Sequence, residues 1–364
     1  MFEYYDYSDA QIKQRHNSKM LYESYLNAVR AYNTHFRFKM VWQKHQDGTQ
    51  RLAKQHLKSG KREYLGKRSA QTKQMAFEFS RSKNEAMERI KNLKTKIKKD
   101  EKLNKLEGIA RAPKELISIF RKINELGLDD KLIAIGTNAL YAYEARCGVM
   151  LEQEQLATRD IDLLNRKDKG VSFLFSEFIV GGRAEELITS IDSSFQKSEE
   201  VPYRFVNKDG VWLELINPTS DTVRHKSLKD NVFFDLIPLA MSGIQWLENS
   251  RLFKECLIGE NGKCAIITTV HPLEYAVYKN WLGKREDRDY LKHTRDLEQS
   301  KLVTELIHNY MPDINIERDL TKLKHFKKEV VDSYFTNVFS AIKQTYEEAD
   351  EHYLEENEDG QLTL

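Results

Sequence analysis

Residues 133–149, IAIGTNALYAYEARCGV, and residues 157–164, ATRDIDLL, decide how the chain is read. The first segment is an apolar strand pattern that ends in Gly136-Thr137 and opens directly into a helix. Glycine lets a backbone approach a ligand closely. A helix N-terminus offers free N–H groups and the positive end of a dipole, which suit a phosphate. The Thr137 hydroxyl adds one more donor. Many strand–Gly–helix turns bind nothing, so this signal is weak alone. The second segment sharpens it. Asp160 and Asp162 stand two apart in a short apolar strand, and side chains two apart share a face. Two carboxylates on one face repel unless a cation lies between them. Hard oxygen ligands suit Mg²⁺, which keeps substrate phosphates in its remaining positions. The bland alternative has Asp160 capping a turn and Asp162 pairing with a lysine, and the upstream turn favours the metal.

A two-metal site needs a third carboxylate, which also takes the proton from an attacking hydroxyl. Glu214 in VWLELI (211–216) is the preferred candidate, because a strand after Asp209-Gly210 can lie beside the Asp160 strand and aim at the same point. Asp235 in VFFDLIPL (232–239) is the rival, since it too interrupts an apolar run.

Outward from this centre, the pattern is a compact alternation of strands and helices. Strands are expected at 131–135, 160–164, 203–206 and 211–216, and helices at 138–146 and 184–195. A helix begins at Pro113, with proline in the first turn and Gly127 at its end. From Pro272 onward the pattern is helical, and the acidic stretch 347–359 is expected to fray. Upstream, residues 9–32 read as a helix. FRFKMVWQKH (36–45), the turn signal Asp47-Gly48, TQRLAKQHL and REYLG read as a small antiparallel sheet of two or three strands. From Ser69 to Leu106 there is no Gly or Pro, and Met87, Ile90, Leu93 and Ile97 recur at helical spacing. The lysine-rich KNLKTKIKKDEKLNK (91–105) covers the other face of this long helix.

The expected class is therefore α+β. It has a basic N-terminal region with a small sheet and a long helical arm (1–108), a mixed-sheet core (109–270), a helical C-terminal region (271–345) and an acidic tail (346–364). The chain has 364 residues, with 58 Lys+Arg against 56 Asp+Glu. That near-balance hides an asymmetry. Residues 1–100 hold 23 basic and 10 acidic residues, a net of +13, so the remainder holds 35 and 46, a net of −11. A basic arm of this size suits nucleic acid, with a solvated helix surface as the bland alternative.

Several classes are disfavoured. No apolar run approaches the ~18 residues of a membrane span. The start, MFEYYDYSDAQ, lacks the basic and apolar regions of a secretory signal. Cys147, Cys256 and Cys264 have no C-x-x-C spacing, which argues against a disulfide framework or zinc knuckle and for a reducing cytoplasm. His225, His271 and His293 share no ligand spacing with a cysteine, and no G-x-S-x-G supports a hydrolase triad. Tyr141 and Tyr143 can stack on a base, but packing on a helix face is commoner.

Gly-Thr at a strand–helix turn, D-x-D on a strand and a later acid on another strand resemble the polymerase-beta-type nucleotidyltransferase superfamily. GTNALYAYEARCGV, ATRDIDLL, DGVWLELINP (209–218) and the segment 256–299 resemble a bacterial nucleotidyltransferase-like family nearly end to end. MVWQKHQDGTQ (40–50) and YLGKRSAQT (64–72) extend the resemblance over residues 36–305. A more distant likeness is to the abortive-infection nucleotidyltransferase toxins, which Arg159, just before Asp160, also fits.

The resemblance implies a nucleotidyltransferase-type mixed sheet and a nucleoside triphosphate substrate. Its nucleotide would be bound by Gly136, Thr137, Lys279 and Arg159, and its metals by Asp160, Asp162 and Glu214. It carries a basic role to Lys279 in EYAVYKNWLGKR (274–285) and an acidic one to Asp296 in KHTRDLEQ (292–299). A lysine ammonium can neutralise departing pyrophosphate. Alternatively Lys279 snorkels from an amphipathic helix, and Asp296 pairs with Arg285 or Arg288.

The leading expectation is Mg²⁺-dependent transfer of a nucleoside monophosphate to an acceptor hydroxyl. RNA, with tRNA foremost, is the first acceptor considered, and a protein is the second. A toxin or phage-defence role with an antitoxin partner is compatible. The competing expectation is an inactive module that keeps the fold and binds nucleotide or nucleic acid.

Overall fold

The computed structural model describes residues 2–57, 59–156, 158, 160–166, 184–201, 203–218, 238–239 and 243–359. Strand β1 (Tyr4–Asp6) leads into helix α1 (Asp9–His35). Ser8 caps α1 in a reciprocal box with Gln11, which satisfies two otherwise orphaned N–H groups. Strands β2 (Phe38–Lys44), β3 (Gln50–His56) and β4 (Arg62–Lys67) form the expected antiparallel sheet in that order. Helix α2 (Ala70–Leu106) follows, capped by Ser69.

Most of α2 is exposed, and its C-terminal third is tied down. Ile97 packs with Tyr22, Tyr25 and Leu26 of α1 and with Ile258. The Ser18 hydroxyl donates to Asp100 Oδ2 at 2.6 Å, and Gln14 Nε2 donates to Asp100 Oδ1 and Asn104 Oδ1, both at 2.8 Å. Asn104 Nδ2 then donates to the Gly262 carbonyl at 2.9 Å. The arm is thereby anchored to the core sheet.

Helix α3 (Lys114–Leu126) starts after Pro113 and ends at Gly127, whose φ of 71° is the left-handed cap that glycine adopts without cost. Strand β5 (Leu132–Ile135) is wholly buried and turns through a 3₁₀ segment (Gly136–Ala139) into helix α4 (Leu140–Cys147). Strand β6 (Val149–Leu151) pairs with β1. The main sheet is completed by β7 (Asp160–Asn165), β8 (Gln196–Lys197), β9 (Arg204–Val206), β10 (Trp212–Pro218), β11 (Pro238–Leu239), β12 (Leu252–Ile258) and β13 (Cys264–Val270). Its order is β12-β13-β5-β7-β10-β9-β8, with β11 beside β10.

The β12–β13 hairpin and the β1–β6 pair lie outside the sequence expectation. Helix α5 (Ala184–Ile191) stops short of Phe195, because Asp192 Oδ1 accepts the Ser194 N–H at 2.9 Å and turns the chain. Helices α6 (Pro272–Leu282) and α7 (Tyr290–Tyr310) pack along each other. Helix α8 (Ser340–Asp359) carries the acidic stretch as continuous helix rather than a frayed end. Glu, Ala and Leu favour helix, and no Gly or Pro interrupts this stretch before Gly360. Among the described residues, no helix is long and apolar enough to cross a membrane.

Gly262, in the β12–β13 turn, has φ +79°, and a Cβ there would overlap the Glu101 backbone of α2. Gly262→Ala therefore combines a left-handed penalty of ~1–2 kcal/mol with a clash against backbone. The expected result is a lower melting temperature, with faster amide exchange over residues 97–107. An unchanged melting temperature and exchange pattern would show that this contact does not anchor the arm.

Candidate active site

The site is set by strand pairing. β7 is antiparallel to β5, with Asp162 opposite Ile135, the residue before the Gly136 turn. β10 runs parallel to β7, with Glu214 opposite Asp162 and Trp212 opposite Asp160. Asp160, Asp162, Trp212 and Glu214 thus stand on one face of the sheet, because alternate residues share a face and paired residues point the same way.

Gly136 sits directly against this face. It has φ +65°, and a Cβ there would fall on Asp162 Oδ2. Any side chain at Gly136 therefore displaces the carboxylate. Asn138 Nδ2 donates to the Asp160 carbonyl at 2.6 Å, and the Asp160 N–H donates to Thr158 Oγ1 at 3.2 Å, so the turn and the start of β7 are fastened together.

The carboxylates feel one another. Burial first, then the charges of Glu214 and Asp160, push Asp162 up to about 7, while Lys279 and Lys292 act in the opposite direction. Arg204 on β9 is the register partner of Glu214. Its Nε and Nη2 both donate to Glu214 Oε1, at 2.9 and 2.6 Å. Among the described residues, no group of three His, Cys, Asp or Glu side chains is placed to hold a metal ion.

The C-terminal helices close over the turn. Thr137 is buried, and its hydroxyl oxygen accepts from Arg295 Nη2 and from Gln299 Nε2, the latter at 3.1 Å. Lys279 does not snorkel. Its ammonium is buried and donates to Asp296 Oδ1 at 2.5 Å, and Arg288 Nε donates to Asp296 Oδ2 at 2.8 Å. Burial pulls Lys279 below its ordinary value, with Asp296 opposing the shift. Arg285 pairs with Asp287 instead. Arg159, Asp235 and His225 lie outside the described residues.

Tyr143 is a packing residue whose hydroxyl donates to the Val270 carbonyl at 2.9 Å. His271 occupies the N-cap position of α6 without a side-chain capping bond, and burial followed by the Arg251 charge lowers it to about 4. Sequence reasoning missed Arg204, Arg295 and Gln299. The four-residue spacing of Arg295 and Gln299 marks one helix face and was available as a signal. The pairing of Arg204 with Glu214 depends on hairpin register.

The elevated Asp162 has a stability consequence. Its value in the fold lies above the 3.8 of a free aspartate, so the folded chain binds the proton more tightly. That contribution is complete below about pH 4 and is lost as pH rises through about 7. Metal-free Asp162→Asn is expected to be more stable than wild type at pH 8, by an amount on the order of a few kcal/mol, and to melt higher, with the advantage shrinking toward pH 5. Thermal melts across this range check it, and a pH-independent difference would contradict it.

A family model described as nucleotidyltransferase matches residues 114–322, which span α3, the acid-bearing strands and helices α6 and α7. No curated protein and no solved structure matches the chain. The matched span covers more than half of the 364 residues, and the family's members act on nucleotides as transferases of phosphorus-containing groups. The chain belongs to the nucleotidyltransferase family.

Proposed function

We propose that the chain is a Mg²⁺-dependent enzyme that moves a nucleoside monophosphate from a nucleoside triphosphate to an acceptor hydroxyl, with RNA, and tRNA foremost, as acceptor. The observation that carries this reading is the register of β7 and β10, which sets Glu214 opposite Asp162 and beside the Gly136 turn.

Burial and the neighbouring charges of Glu214 and Asp160 raise the proton affinity of Asp162, a strain that a divalent cation bound there would relieve. Asp160 and Asp162 would hold the metal, and Glu214 would join through Oε2, the oxygen outside its Arg204 pair. When bound, Mg²⁺ supplies charge stabilisation to the phosphoryl oxygens. Gly136, with no Cβ, lets the Asp162 carboxylate lie directly against the turn. The cations of Arg295 and Lys292 stand on the first turns of α7, where they favour triphosphate binding. Lys279, held by Asp296, adds positive potential from below. The acceptor oxygen bonds to the α-phosphorus, the bond from that phosphorus to the bridging oxygen breaks, and pyrophosphate leaves. The Glu214 carboxylate takes the hydroxyl proton. Arg159 and Asp235 keep their expected roles as a nucleotide contact and an alternative third acid.

The acceptor reading rests on charge. Residues 36–68, which span β2–β4, hold ten Lys+Arg against two Asp+Glu. Tyr64 is exposed on this sheet, with the His45 ring 5.7 Å away. Beside α2, Tyr32, Lys91, Lys94 and Lys98 line a groove of about 530 Å³. Cations with aromatic surface suit a single-stranded or looped RNA. A toxin or phage-defence role with an antitoxin partner rests on the sequence resemblance. Growth arrest on induction that the double-Ala variant below lacks supports it, and equal growth removes it.

One observation favours the second reading, a binding module without chemistry. Glu214 is held by Arg204, and the acids do not converge as ligands among the described residues.

The test is transfer from each α-labelled ribonucleoside triphosphate, with Mg²⁺, into total RNA and total protein. Label is expected in RNA, declining steeply with added salt because phosphate contacts release counterions. It is expected to fall ~100-fold or more in Asp160→Ala/Asp162→Ala, the scale of losing metal-based charge stabilisation. Undiminished labelling by the double variant would refute the site. Binding of triphosphate without label in any fraction would select the binding module.

A further inference from the structure

Trp212 is 38% exposed, the most exposed of the chain's four tryptophans. It precedes Glu214 by two residues and pairs opposite Asp160, so its ring stands on the acid face of the sheet. Trp246 and Trp281, by contrast, pack edge to face at 4.7 Å. Arg204 braces the exposed ring. Its guanidinium lies 3.9 Å from the Trp212 ring centroid while it donates twice to Glu214 Oε1. One cation thus grips the acid and stacks on the aromatic, so the orientation of the ring and the position of the carboxylate are set together. The ring keeps 38% of its surface exposed beside the acids, an area that a flat ligand can cover.

We infer that Trp212, braced by Arg204, is the stacking surface for the nucleobase of the incoming nucleoside triphosphate. The inference rests on the nucleotidyltransferase reading above and adds where the base lies. Two residues along a strand span about 7 Å, the order of separation between a nucleoside's base and its 5′ phosphate. A base placed on Trp212 therefore leaves its phosphates within reach of Asp160, Asp162 and Glu214. Every base has a π-face, so a stacking surface of this kind binds several bases with little discrimination. The guanidinium on the ring adds a cationic partner that strengthens the platform. An acceptor nucleotide carries the same chemistry, and the experiment separates the two sources.

The test uses the full chain, with Trp212→Leu and Trp212→Phe checked for folding by thermal melts. Equilibrium dialysis with Mg²⁺ compares ATP with inorganic tripolyphosphate, which lacks a base. Trp212→Leu is expected to bind ATP about tenfold more weakly, within the range of one lost stacking contact. Its tripolyphosphate affinity is expected to be unchanged, and Trp212→Phe to recover most of the ATP affinity. Equal ATP affinity in Trp212→Leu and wild type overturns the inference and leaves the nucleotidyltransferase reading standing. Equal weakening for both ligands also overturns it, since the ring then supports the phosphate site. An unchanged ATP affinity with a raised KM for acceptor assigns the base to the acceptor instead. If wild type binds neither ligand, the nucleotidyltransferase reading fails together with the inference.

Discussion

The in-register parallel pairing of β7 with β10 is the constraint on which the site depends. It places Glu214 opposite Asp162, and the two-residue repeat adds Asp160 to the same face. Burial first, and then the like charges gathered there, oppose ionisation of Asp162 and raise its proton affinity. The fold compensates with cations from separate elements. Arg204 reaches Glu214 from the neighbouring strand, and the fields of Lys279 and Lys292 act on Asp162 from the helical side. Acids and cations from separate elements thus meet at one part of the sheet.

The C-terminal helices are part of this arrangement. Thr137 in the glycine turn is held by Arg295 and Gln299 of α7, and α6 is locked to α7 by the Lys279–Asp296 pair, which Arg288 completes. Breaking either half of the buried Lys279–Asp296 pair leaves an uncompensated charge, so the packing of α6 on α7 depends on it. The family match spans these helices as well as the strands, as expected if both build the site.

Much of this was legible in sequence, for reasons that differ by element. The α1 and α2 helices, the β2–β4 sheet and the Pro113–Gly127 helix carried local signals of caps, turns and periodicity, and those signals agree with the structure. Asp160 and Asp162 were readable because period two is a local property. Glu214 was reachable because its hairpin turn is marked by Asp209-Gly210. The β12–β13 hairpin was not, because most of its residues are buried on both faces and no alternation appears along either strand. Arg204 and the burial of Lys279 depend on partners brought by tertiary packing, and no local pattern encodes them. The acidic end has the charge of a stretch expected to fray, yet its composition also favours helix, and helix is what forms.

The central claim is that these acids serve a divalent cation in the presence of nucleotide. The most direct measurement is Mn²⁺ binding, followed by paramagnetic resonance with a non-hydrolysable triphosphate, in wild type and in Asp160→Asn, Asp162→Asn and Glu214→Gln. The account predicts a bound Mn²⁺ signal in wild type that weakens in each of the three variants. Equal Mn²⁺ binding by wild type and all three variants would contradict it.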